Sequence, residues 1–165
     1  MEFWNQHPYH LDDLQVGQRF TSGLHEMDEG QILAFAEEFD PQGFHLDHEA
    51  ATASLFGGLA ASGWHTAAIT MKLLVRGGLP IAGGIIGAGG EVSWPGPTRP
   101  DDRLHVEAEV VEITPSRSKP DRGIVTVRCE TKNQRGDVRQ VLVAKLVVPR
   151  RAVRQSISPQ ILASV

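Results

Sequence analysis

The chain has 165 residues, 41% hydrophobic and 22% charged, proportions of one ordinary globular domain rather than of a disordered or two-domain chain. Sixteen Lys and Arg against twenty Asp and Glu leave a net charge of -4, without the positive surplus that holding a phosphate backbone needs, so nucleic acid is not an expected partner. One cysteine, Cys129, makes neither an internal disulfide nor a cysteine-rich zinc site, and no basic segment followed by an apolar run opens the chain, so the expected compartment is the cytoplasm.

Residues 19–27 read as an early strand. Asp28 opens a helix with Gln31 at its third position, the capping-box arrangement, and Ile32, Leu33, Phe35, Ala36 and Phe39 recur on one face. That helix should stop at Asp40, because the residue before Pro41 is pushed out of helical space. A loop, PQGFHL, leads to a second short helix expected from Asp47 to Gly57 and Gly58. The third helix has Ser62 as N-cap and Gly77, Gly78 and Pro80 as its stop. Its middle, AAITMKLLV, is apolar nearly all round, which predicts a helix enclosed by the fold. His65, Lys72, Arg76 and seven glycines interrupt residues 57–86, so no membrane span is expected there.

From Gly84 the period changes from helix to strand. Leu104, Val106, Ala108 and Val110 alternate with polar residues, as do Val125, Val127 and Cys129, and VLVAKLVV completes an antiparallel meander. NQRGD, residues 133–137, is hairpin chemistry, and SRSKPDRG a longer polar turn. The glycines of GGIIGAGG lack a phosphate-binding pattern and are expected to let a strand pack closely on the third helix. Residues 1–148 thus form one domain, with 149–165 a polar extension. One apolar helix and a run of antiparallel strands make an α+β arrangement in which the sheet wraps the helix, a hot-dog fold.

FAEEFDPQGFHLDHEAATASLFGGLAASGWHTAAI, residues 35–69, resembles the MaoC-like (R)-specific enoyl-CoA hydratases, whose signature is Asp, four residues, His, one residue, Asp, then a small-residue run opening the central helix. Asp40 and His45 match the catalytic pair, Asp47 the following acidic position, and Ser62-Gly63 stand where that family usually has His-Gly. EVSWPGPTRPDDRL is similar to the family's Pro-Val-Arg-Pro-Gly-Asp turn, with Asp101 in place of the glycine. The resemblance spans residues 15–148 and implies an acyl-thioester hydratase or dehydratase that interconverts trans-2-enoyl-CoA and (R)-3-hydroxyacyl-CoA. It implies that Asp40 is the base and His45 the proton-bearing partner, with Ser62 and Gly63 as the oxyanion and substrate-binding residues and the Gly63 N–H at the helix N-terminus binding the thioester oxygen. The substrate would be an acyl-CoA or an acyl carrier protein thioester, the assembly a homodimer or a set of dimers, and neither a cofactor nor a metal is called for. A hot-dog thioesterase and a non-catalytic acyl-CoA-binding module are the rival readings. Ser62 alone reads as a cap, Asp47 as the cap of the second helix, Cys129 as core, and His65 and Trp64 as packing or pocket lining.

Overall fold

The computed structural model describes residues 7–152. Alternation dictates the sheet: β4 (Arg103–Pro115), β5 (Arg122–Lys132) and β6 (Val138–Pro149) bury Leu104, Val106, Ala108 and Val110, then Val125, Val127 and Cys129, then Ala144, Leu146 and Val148 on one face. These three strands are consecutive antiparallel neighbours, joined between β5 and β6 at the NQRGD turn. The early strand is split into β1 (Arg19–Thr21) and β2 (His25–Glu26), both against β4. The remaining strand, β3 (Gly87–Ser93), pairs with β6, so the chain crosses the sheet before β4 and the order is β1-β4-β5-β6-β3. The expected close packing of the glycine run on the central helix does not occur. A Cβ at Gly90 would lie 2.7 Å from the Val143 carbonyl oxygen, so the tight approach is to β6.

α1 (Glu29–Phe39) starts where Asp28 accepts the Gln31 N–H at 2.8 Å and ends at Asp40 as expected. Ile32 and Ala36 are buried, whereas Phe39, expected on the same face, is 63% exposed. The PQGFHL loop contains a single helical turn, α2 (Gly43–Leu46), and α3 (His48–Ala53), capped by Asp47 through the Ala50 N–H, stops at Ser54, short of the glycines.

The sheet wraps α4 (Gly63–Leu73), the hot-dog arrangement, and a π-helical turn, Leu74–Gly78, closes that helix with Gly77 at φ +120°. His65, Thr66, Ile69, Thr70 and Leu73 are buried. The helix is not enclosed all round: one sheet covers one side, and Trp64, Met71 and Val75 stay open at 61%, 43% and 43% exposure. Hydroxyls satisfy one another inside, Thr70 Oγ1 lying 2.6 Å from Thr131 Oγ1 and accepting from Gln140 Nε2 at 3.1 Å.

Pro149 belongs to β6, and the stretch after it begins tied to the body, with Arg150 2.9 Å from Asp12 and Arg151 2.8 Å from Asp13. The rest of the predicted extension, residues 153–165, lies outside the described residues.

Asp101 has φ +67°, the left-handed region, which explains the glycine usual at this turn. Asp101→Ala, which loses aspartate's tolerance of that region, should cost about 1 kcal/mol and lower Tm by about 2–4 °C, while Asp101→Gly should not lower it. Paired thermal melts check this; equal Tm for the Ala and Gly variants would contradict it.

Candidate active site

Three chain turns bring the predicted residues together. Pro41 ends α1 and leaves Asp40 at its C-cap, the single turn of α2 carries His45 back toward it, and Ser62 caps α4. His45 Nε2 stands 3.4 Å from Asp40 Oδ2, and the Ser62 hydroxyl donates to the same oxygen at 2.6 Å. Gln42 Nε2 donates to Asp40 Oδ1 at 2.6 Å. The buried His45 ring lies 2.6 Å from the Ala60 carbonyl through Nδ1. A carbonyl only accepts, so Nδ1 carries a proton and Nε2 is the nitrogen turned to Asp40. The Gly63 N–H, first of α4, has no partner among the described residues and points from the positive end of the helix.

Desolvation pushes the Asp40 pKa up, but hydrogen bonds from Ser62 and Gln42, with the His45 charge, outweigh it and hold the carboxyl below its usual 3.8. Asp40 is therefore ionised at any pH above that usual value, and its share of stability is lost only as pH falls through the lowered value. Ser62→Ala removes one of these donors, so it should move the Asp40 titration to higher pH. Carbon NMR of the Asp40 carboxyl checks this, and an unmoved titration would contradict it.

Beside His45 and Gly63 opens a cavity of about 830 Å³, a size suited to a small-molecule ligand. Phe44, Leu55, Phe56, Trp94 and Pro97 give it apolar walls, and Arg99 and His45 are its titratable groups. Asp40 and Ser62 are not among its lining residues; Asp40 adjoins it through His45, 3.4 Å away, and Ser62 precedes Gly63 in the chain. Trp94 lies so close over Gly63 that a Cβ there would meet the indole ring at 2.7–2.8 Å. Its indole N–H donates to the buried Gln140 at 2.9 Å, and Gln140 is held in turn by Thr70.

The remaining candidates sort by contact. Trp64 packs edge-on against Trp94, 5.3 Å between centroids, outside the cavity lining. His65 stacks on Phe35 at 4.5 Å, and burial lowers its pKa to about 4, so it is a neutral packing ring. His48 pairs with Glu29 at 2.9 Å. Cys129 is buried, and desolvation pushes its thiol up to about 12. Trp94, Gln140, Phe44 and the Ala60 carbonyl were not found from the sequence. A carbonyl carries no residue-type signal at all, and nothing in the spacing ties Gln140 to Trp94 across 46 positions.

Residues 9–133 match the MaoC like domain family. The chain belongs to this family. It is 38% identical over 128 residues to the uncharacterized protein YdeM of Bacillus subtilis (strain 168), covering 76% of this chain and 88% of that protein. The MaoC-like dehydratase of Rhodospirillum rubrum superposes with a TM-score of 0.87 at 65% identity, over 88% of this chain and 99% of the other. The R-hydratase PhaJ1 of Pseudomonas aeruginosa superposes with a TM-score of 0.68 at 26% identity, over 87% of each chain. Membership of a MaoC-like dehydratase family supports hydratase or dehydratase chemistry, and no helix among the described residues is long and apolar enough to cross a membrane.

Proposed function

We propose that this chain hydrates trans-2-enoyl-CoA to (R)-3-hydroxyacyl-CoA and catalyses the reverse dehydration. The observation that carries the reading is one constellation: an ionised carboxylate and an imidazole 3.4 Å apart, beside a helix N-terminus whose first N–H has no partner among the described residues. Adding water to an enoyl thioester needs a base for the water, a proton for Cα and a donor for the thioester oxygen. Water held by Asp40 and His45 Nε2 gives a proton to the Asp40 carboxylate as its oxygen bonds to Cβ. The π electrons move toward Cα and the thioester oxygen, which the Gly63 N–H stabilises, and a proton from the dyad then completes the Cα–H bond. The Ala60 carbonyl fixes the imidazole so that Nε2 stays on the reacting side. The likeness to an R-hydratase at 26% identity supports the (R) product.

Crotonyl-CoA tests the reading. Loss of the conjugated enoyl absorbance without release of free thiol, giving (R)-3-hydroxybutyryl-CoA, is the expected result. Free thiol would mean hydrolysis, and tight binding without turnover would mean a binding module; either would overturn it.

The same reading includes a homodimer. Trp64 and Met71 of α4, with Val75 in the turn that follows it, form an open stripe that meets the sheet edge at the Trp64–Trp94 contact, and among the described residues β3 pairs with β6 alone. A second copy covers both features by one two-fold contact. Light scattering should give twice the single-chain mass, and Met71→Glu, which places a charge in that face, should shift the protein to monomer. A wild-type monomer with full activity would contradict the assembly.

A further inference from the structure

Resting on the hydratase reading, we propose that Arg99 is a positioning residue that sets the His45 imidazole through residues 56–61. These residues belong to neither helix nor strand, and their own backbone ties, Gly57 N–H to Ser54 and Gly58 N–H to Ala51, lie at the start of the segment. What holds the rest is the turn before β4. Arg99 Nη1 donates to the carbonyls of Gly58 at 2.6 Å and Leu59 at 3.1 Å, and Nη2 donates to that of Phe56. The Thr98 carbonyl accepts the Ala61 N–H at 2.9 Å. Ala60 is thus bracketed on both sides, and its carbonyl is the one that receives the Nδ1 proton of His45.

The residue type fits this task. A planar guanidinium presents several donors in a rigid fork and reaches three carbonyls at once, which a single ammonium cannot do in the same geometry. Among the described residues no carboxylate pairs with the Arg99 guanidinium, so its side-chain hydrogen bonds all go to backbone carbonyls of one segment. The fork has a firm base. The Arg99 N–H donates to Asp102 Oδ2 at 2.9 Å, and buried Asp102 accepts from Asn133 Nδ2 at 3.0 Å and lies 3.3 Å from Arg139 Nε. Position is thereby passed from the β5–β6 hairpin to the Ala60 carbonyl and on to the ring that holds the water. The same segment runs directly into Ser62 and Gly63.

NMR of the His45 ring nitrogens and crotonyl-CoA kinetics test this together. In the unmodified protein the ring should be protonated at Nδ1. Arg99→Met should let the Ala60 carbonyl drift, giving mixed ring tautomers and a kcat lowered by about tenfold to hundredfold, the scale of a misplaced catalytic group. KM should change by less than about threefold, since what is lost is stabilisation of the transition state and not binding of the ground state. Arg99→Lys, which keeps the stem and charge without the fork, should recover little of the rate, and it carries the same criteria if the methionine variant does not fold. A ring protonated at Nε2 in the unmodified protein, wild-type kcat in a folded variant, or a lower kcat with an unchanged ring spectrum would each overturn the proposal. Absence of any hydration by the wild type would instead overturn the hydratase reading, while the ring spectra would still decide the role of Arg99.

Discussion

Asp40→Asn and His45→Gln should each lower hydration of crotonyl-CoA by about 10² to 10⁴, the range for removal of a general acid or base, while leaving a folded chain. Asparagine keeps an oxygen for the Ser62 hydroxyl but loses the negative charge that takes the water proton. Glutamine still offers an amide N–H toward the Ala60 carbonyl, so a buried acceptor need not be orphaned, yet it has no nitrogen that can exchange a proton. Both side chains sit at a helix end or on a single helical turn, away from the alternating core of the sheet. Enoyl absorbance gives the rate and thermal melts give the fold. Unchanged turnover in either folded variant would contradict the assignment of the pair.

Gly63 should be as sensitive, for a reason that only the structure reveals. Alanine is ordinarily favourable in a helix, but here its Cβ enters the Trp94 ring at 2.7–2.8 Å, and that ring is pinned through Gln140. Gly63→Ala should therefore displace the helix N-terminus or the ring and lower turnover by about 10², as misplacement by about 1 Å can. Proline carries a Cβ at the same place, so Gly63→Pro alone would mix a clash with a missing donor. Trp94→Ala removes the clash and separates the two causes. In that background Gly63→Ala should be close to neutral, whereas Gly63→Pro, tolerated at the first helical position, should lose about 10² to 10³ in turnover for want of one oxyanion donor. Equal rates for the alanine and proline double variants would mean that the thioester oxygen is held elsewhere.

The strands were legible because alternation is a local pattern: Leu104 to Val110 and Val125 to Cys129 are buried as their spacing predicts. The caps at Asp28, Asp47 and Ser62 were legible for the same reason, since each side chain serves an N–H two or three residues on. The partner of β3 was not, because pairing between strands some fifty residues apart leaves no local trace. α4 misled for a related reason. An apolar circumference states that all sides want cover, not that one chain supplies it, and Trp64, Met71 and Val75 remain open. In the site, Asp40, His45, Ser62 and Gly63 were read from a matching motif, but the groups that orient them are backbone carbonyls and long-range partners. His45 is aimed by Ala60, and Gly63 is roofed by Trp94.

A crystal structure of the His45→Gln protein with crotonyl-CoA bound shows where the thioester oxygen and Cβ lie. The thioester oxygen should lie about 3 Å from the Gly63 nitrogen, the geometry of an N–H···O bond, with Cβ turned toward a water held by Asp40. An acyl chain bound with its thioester oxygen away from Gly63 and its Cβ out of reach of any water on Asp40 would contradict it.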